Sequence, residues 1–115
     1  MKELVILGAG AGTTIIEGPA PPGNTRRAMR IASASTAQTV IDGFTLTGGF
    51  ATEGGGVIFE APGTMSNCLI TGNSAGTAIE GNGGGVFVIG TSANLVNCTI
   101  TNNTSSIGPG GGLAL

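Results

Sequence analysis

Three segments, Phe44-Thr45-Leu46-Thr47-Gly48-Gly49, Cys68-Leu69-Ile70-Thr71-Gly72-Asn73 and Cys98-Thr99-Ile100-Thr101-Asn102-Asn103, align without gaps. Each alternates inward-type apolar positions with mostly polar ones and ends at a corner of Gly or Asn, the period-two pattern of a strand with one face in a core. Between them runs a second unit, a glycine triplet followed by an apolar run: Gly54-Gly55-Gly56-Val57-Ile58-Phe59, Gly83-Gly84-Gly85-Val86-Phe87-Val88 and Gly110-Gly111-Gly112-Leu113-Ala114-Leu115. A third likeness joins Thr14-Ile15-Ile16-Glu17-Gly18 to Thr39-Val40-Ile41-Asp42-Gly43. Repetition therefore covers the whole chain, which is the signature of a solenoid.

With Ile6, Ile31, Val57, Val86 and Leu113 taken as equivalent, the successive spacings are 25, 26, 29 and 27 residues. A unit of that length, holding two or three short strands, cannot bury its apolar face alone and must stack on its neighbours. A leucine-rich repeat needs a dense Leu consensus and a helical half, whereas this chain has 7 Leu. The expectation is a single all-β domain, a parallel β-solenoid of about four coils at 4–28, 29–53, 54–82 and 83–109, with a fifth beginning at 110.

Alternation assigns the faces. Phe44, Cys68 and Cys98 form one inward column and Leu46, Ile70 and Ile100 the next, while a preceding strand contributes Ile16, Ile41, Met65 and Leu95. Thr45, Leu69 and Thr99, and then Thr47, Thr71 and Thr101, point outward. Asn67 with Asn97, and Asn73 with Asn103, are placed to form side-chain ladders at corners. Cys68 and Cys98 share a column on neighbouring rungs about 4.8 Å apart, within reach of a disulfide. Parallel Cβ vectors favour stacked free thiols there.

Composition agrees. Gly occupies 23 of 115 positions, which excludes a helical bundle. The chain is 40% hydrophobic and 9% charged with a mean hydropathy of +0.38, too apolar for a disordered polymer. Five Pro without a Gly-X-Y period exclude collagen. A net charge of −2, from 4 Lys plus Arg against 6 Asp plus Glu, offers no footprint for nucleic acid or an anionic membrane surface. The apolar run Leu4–Leu7 is too short to span a bilayer. Glu3 interrupts the basic start and no cleavage pattern follows, so no signal peptide is visible. Two cysteines do not define a redox compartment. Neither end carries a polar cap, and open ends are expected to meet further β-helix coils or another copy.

On these motifs the chain resembles a stretch of right-handed parallel β-helix, the fold of pectate lyases, pectin methylesterases, polygalacturonases and many surface proteins. The opening Val5-Ile6-Leu7-Gly8-Ala9-Gly10-Ala11-Gly12-Thr13-Thr14-Ile15-Ile16-Glu17-Gly18 is similar to a first coil of such proteins. The Gly-Gly-Gly-Val units and Asn97-Cys98-Thr99-Ile100-Thr101-Asn102-Asn103 resemble the repeats of polymorphic outer-membrane proteins in bacterial autotransporter passengers. Ile70 and Ile100 stand where that family's Phe-x-x-Asn unit has Phe, with Asn73 and Asn103 in place. The resemblance implies an extracellular or cell-surface protein of the adhesin or polysaccharide-binding type. Its alternative is a carbohydrate-active enzyme, a lyase, pectinesterase or glycoside hydrolase, whose catalytic coils lie outside this chain.

Candidate chemistry is sparse. The chain has no His, Tyr or Trp, and its carboxylates Glu3, Glu17, Asp42, Glu53, Glu60 and Glu80 are scattered. Glu17 and Asp42, equivalent in the aligned units, are the one pair that adjacent rungs would bring together, and glycoside hydrolysis needs two carboxylates about 5–9.5 Å apart. Both also precede Gly and suit solvated corners. An adjacent Asp pair, His-Gly and Arg-x-Lys of the polygalacturonase type are absent from the sequence. Calcium takes about six to eight oxygens, and no rung offers them, so no metal and no cofactor is expected. Gly8-Ala9-Gly10-Ala11-Gly12 lacks the spacing and following helix of a dinucleotide loop and suits a tight corner. The candidate ligand surface comprises Thr45, Thr47, Thr71, Thr99 and Thr101, and the cluster Arg26, Arg27 and Arg30 after the corner Pro19-Ala20-Pro21-Pro22-Gly23-Asn24. The expected ligand is a polysaccharide or another cell-surface molecule. An outward threonine array also suits ice binding, a further alternative.

Overall fold

The computed structural model describes residues 4–18, 26–32, 39–76, 81–108 and 110–115. Residues 19–25, on which the expected corner Pro19 to Asn24 falls, lie outside the described residues, as do Glu3 and Glu80. Every regular element among the described residues is a strand of two to four residues. The chain begins with β1 (Leu4–Leu7) and β2 (Ile15–Glu17), then runs through β3 (Met29–Ile31), β4 (Thr39–Asp42), β5 (Thr45–Thr47) and β6 (Phe50–Ala51). The next pass holds β7 (Val57–Phe59), β8 (Gly63–Ser66), β9 (Leu69–Thr71) and β10 (Ser74–Ala75). It is followed by β11 (Val86–Val88), β12 (Ala93–Val96), β13 (Thr99–Thr101) and β14 (Thr104–Ser105), and β15 (Leu113–Ala114) opens another.

These strands form four sheets, ordered β1-β4-β8-β12, β2-β5-β9-β13, β6-β10-β14 and β3-β7-β11-β15. Pairing between the named strands is parallel throughout. Each strand thus pairs with its counterpart one pass earlier or later, and every complete pass visits the sheets in the same order. The fold is all-β, parallel and β-solenoid-like.

The inward columns close around one core. Phe44, Leu46, Val57, Phe59, Met65, Cys68, Ile70 and Val86 are buried in it, and Ile16, Leu95, Cys98 and Ile100 pack against it half-buried. Burial is deepest in the middle passes: Leu46, Met65 and Ile70 are 0% exposed, while Ile6 in the first strand is 38% exposed. Side chains in the first and last rungs have a neighbour on one side only.

The register corrects the expected equivalences in the first pass. Val57, Val86 and Leu113 do align, but Met29, not Ile31, stands beside Val57. Ile6 belongs to another sheet, beside Ile41. Ile16 stands beside Leu46, leaving Ile6 to complete the column of Ile41, Met65 and Leu95. The likeness of 14–18 to 39–43 is therefore not a structural equivalence. Two early segments, one ending Leu7-Gly8 and one ending Glu17-Gly18, compete for the same pattern, and a slip of two residues keeps every side chain on its face.

Corners use the left-handed region at matching places. Gly43, Asn67 and Asn97 share one, with φ of 82°, 52° and 52°, and Gly48, Gly72 and Asn102 share another, with φ of 70°, 67° and 53°. Only Gly takes this conformation without penalty, and Asn tolerates it best among the rest. This explains why the repeated motif alternates between these two residues. The expected Asn67–Asn97 ladder is replaced by this backbone role, and Asn67 Nδ2 instead donates to Asp42 Oδ1 at 2.9 Å.

Candidate functional site

Asn73 and Asn103 do form the expected ladder. Asn73 Nδ2 is shared among Asn103 Oδ1, the Leu46 carbonyl and the Thr71 carbonyl at 3.0, 3.0 and 3.2 Å. Its Oδ1 accepts from the Gly49 N–H at 2.9 Å, and Asn103 Nδ2 donates to the Ile70 carbonyl at 2.8 Å. The side chains thus tie three passes together and hold the corner between two sheets in place. Immediately outside lie the hydroxyls. Thr71 stands beside Thr101 and Leu69 beside Thr99, and around the corner the Ser74 and Thr104 hydroxyls are 2.9 Å apart.

Exposure sorts the proposed threonine surface. Thr99 and Thr101 are exposed and Thr47 and Thr71 half-buried, but Thr45 is buried, which removes it from any ligand face. Its hydroxyl donates to the Ala11 carbonyl because the corner at residues 8–14 folds over it, fastened by Gly8 N to Asp42 O and Gly10 N to Gly43 O at 2.7 and 3.2 Å. The column containing it reads Ile15, Thr45, Leu69, Thr99, so hydroxyls recur on alternate rungs only.

The carboxylate pair is not brought together. Glu17 lies beside Thr47 in one sheet, and Asp42 lies between Leu7 and Ser66 in another. The two acids therefore do not occupy equivalent positions of one sheet, because β1 rather than β2 stacks on β4. Among the described residues no group of three or more His, Cys, Asp or Glu is close enough to hold a metal ion. No helix of the described residues is long and apolar enough to cross a membrane.

Cys68 and Cys98 are free thiols. Cys68 Sγ donates to the Ser66 carbonyl at 3.2 Å and Cys98 Sγ to the Met65 carbonyl at 3.4 Å. Burial pushes the Cys68 thiol above its ordinary pKa, which keeps it protonated and unreactive at neutral pH.

The arginines gather around a hollow of about 570 Å³ lined by Arg26, Arg27, Arg30, Ala51 and Thr52. Arg30 Nε and Nη2 both reach Glu60 Oε2, at 2.9 and 2.7 Å. This hydrogen bond holds the Glu60 carboxyl below its ordinary range, with the charges of Arg30 and Arg27 adding to it. Arg27 Nη2 donates to the Glu53 carbonyl at 3.1 Å, while its buried Nε has no partner among the described residues. Glu53 Oε1 accepts from Asn82 Nδ2 at 3.2 Å. Glu60 and Thr52 were not singled out from sequence. The available signal was the register: with Arg30 beside Ile58, Glu60 lies two positions along the paired strand, within reach of a long side chain. A second, mostly apolar hollow of about 250 Å³ lies between Ile6, Met29, Ile31, Thr39 and Ile41.

No family model matches the chain, and no curated protein and no solved structure is significantly similar to it.

Proposed function

We propose that this chain is a stretch of right-handed parallel β-helix that serves as a non-catalytic stalk or binding surface of a secreted or surface-exposed bacterial protein, of the adhesin or polysaccharide-binding type. The handedness follows from the general preference of parallel strand connections for the right-handed crossover. The observation that carries the binding role is the set of hydroxyls on two adjoining sheets: Thr71, Thr99 and Thr101 on one, Ser74 and Thr104 on the other. They stand on backbone fastened rung to rung, as in Thr99 N to Cys68 O and Thr104 N to Asn73 O at 2.9 Å each. Donor and acceptor groups held on a rigid frame match the hydroxyls of a sugar chain without an ordering cost on the protein side. The repeated surface also suits a polymer whose own groups repeat.

The test is binding of the purified chain to a panel of immobilised polysaccharides, alongside assays for reducing ends, unsaturated products and released methanol. The expected result is retention on at least one polymer with no turnover. Thr101→Val, which keeps shape and strand preference while removing the hydroxyl, should weaken retention with little change in unfolding midpoint. Turnover that disappears in Asp42→Asn would replace this reading with an enzymatic one.

A further inference from the structure

We propose that the hollow beside Arg26 and Arg27 is an oxoanion site that receives the carboxylate or sulfate group of an acidic polysaccharide, an inference that rests on the carbohydrate-binding reading and names its substrate class. The chain has a net charge of −2 and only 4 Lys plus Arg, yet three of these, Arg26, Arg27 and Arg30, line one hollow. Gathering like charges in an acidic protein opposes folding unless each is compensated. Among the described residues only Arg30 has a carboxylate at ion-pair distance, that of Glu60. Arg26 is exposed, and Arg27 keeps a buried Nε–H without an acceptor among the described residues. A buried donor left open is rare in folded proteins, and a bound water or ion is one of the groups that satisfies such a donor. A guanidinium is suited to an oxoanion there, since its planar array of N–H donors matches the oxygens of a carboxylate or sulfate.

The backbone holds the cluster ready. Phe50 N donates to Arg26 O at 2.8 Å, and the next residues are fastened through Ala28 N to Gly55 O at 3.2 Å and Met29 N to Gly56 O at 2.9 Å. Phe50, the bridge partner of Arg26, begins a column that continues through Ser74 to Thr104. A sugar chain with its acid group in the hollow therefore meets a half-buried aromatic side chain and then two hydroxyls along one sheet.

The experiment is NMR titration of the isotopically labelled chain, reading the Arg27 Nε–H signal and the Thr52 amide. Sodium sulfate and sodium acetate are added first, then a polyuronate, a sulfated polysaccharide and a neutral glucan of matched length. Both signals should move saturably with a small anion. One acidic polymer should bind at least about tenfold more tightly than the neutral glucan, the scale expected for a charge-assisted hydrogen bond. The polyuronate and sulfated arms decide between carboxylate and sulfate. Arg26→Gln and Arg27→Lys should each weaken the acidic polymer at least about fivefold, and unchanged amide signals in the β9 and β13 strands would show that the fold survives. Absence of saturable movement, or undiminished binding by Arg26→Gln, overturns the site. Equal binding of acidic and neutral polymers overturns the oxoanion site but leaves the carbohydrate reading. Saturation by sulfate with no polymer bound does the reverse.

Discussion

At the scale of single residues, Asn73 serves several neighbours at once. It is 1% exposed, satisfies backbone groups of β5, β9 and the Gly49 corner, and meets Asn103 on the next pass. Asn73→Ala would leave the buried Gly49 N–H without its partner, at about 1–3 kcal/mol, and would remove the side-chain bonds to the Leu46 and Thr71 carbonyls, the first of which still accepts in the β5–β9 ladder. We expect it to lower the unfolding free energy by at least about 2 kcal/mol, read as a shift in urea midpoint. Asn67→Gly, at a corner where φ is already 52°, should cost less than about 1 kcal/mol, because Gly adopts that conformation freely and only the bond to Asp42 is lost. The two thiols separate in the same way. Cys68 is buried with a raised pKa and Cys98 is half-buried, so a thiol reagent under native conditions should modify Cys98 first, with Cys68 reacting only on unfolding.

At the scale of the elements, the glycine triplets matter through what they lie against. A Cβ on Gly84 would stand 2.5 Å from the Gly111 carbonyl oxygen and 2.6 Å from the Thr104 carbonyl carbon, and one on Gly85 2.8 Å from Asn103 Nδ2. Backbone of neighbouring passes and the asparagine ladder occupy the space that any side chain would need. Gly84→Ala should therefore destabilise by several kcal/mol, well beyond the change of at most about 1 kcal/mol that Gly-to-Ala produces at a permissive site. Gly12, which has open space around its Cβ position and no left-handed φ, is the control and should be near neutral to Ala in the same urea titration. The strands show a matching gradient: Ile70→Ala should cost about 2–5 kcal/mol and Ile100→Ala less, since Ile70 is wholly buried and Ile100 half-buried.

At the scale of the whole molecule, the stacked passes are joined by backbone bonds and by few charges. The Arg30–Glu60 pair ties β3 to the end of β7. Because the folded state holds the Glu60 carboxyl below its unfolded value, its contribution is present above the unfolded pKa and is lost as pH falls through the folded one. Unfolding followed from neutral pH into the acid range should show stability declining on acidification, and Glu60→Gln should flatten part of that decline. Both side chains meet solvent, so the effect should be small and should shrink further in high salt.

From the sequence alone came the all-β class, the short strands, the inward columns of the middle passes and the Asn73–Asn103 ladder. The reason is that these features repeat: a column such as Leu46, Ile70, Ile100 is visible as soon as three copies are aligned. The first pass was not legible, because it has neither the glycine triplet nor the Asn corner, and its two apolar segments both fit a period-two pattern. Only pairing through space decided that Ile6 stacks on Ile41 and Ile16 on Leu46, and that decision separated Glu17 from Asp42. Burial of Thr45 under the Ala11 corner, the exchange of an Asn67–Asn97 ladder for a left-handed turn, and the pairing of Arg30 with Glu60 while Arg27 Nε stays open were likewise settled by tertiary structure. Alternation in a sequence specifies which face a side chain takes, whereas what covers that face depends on segments distant along the chain.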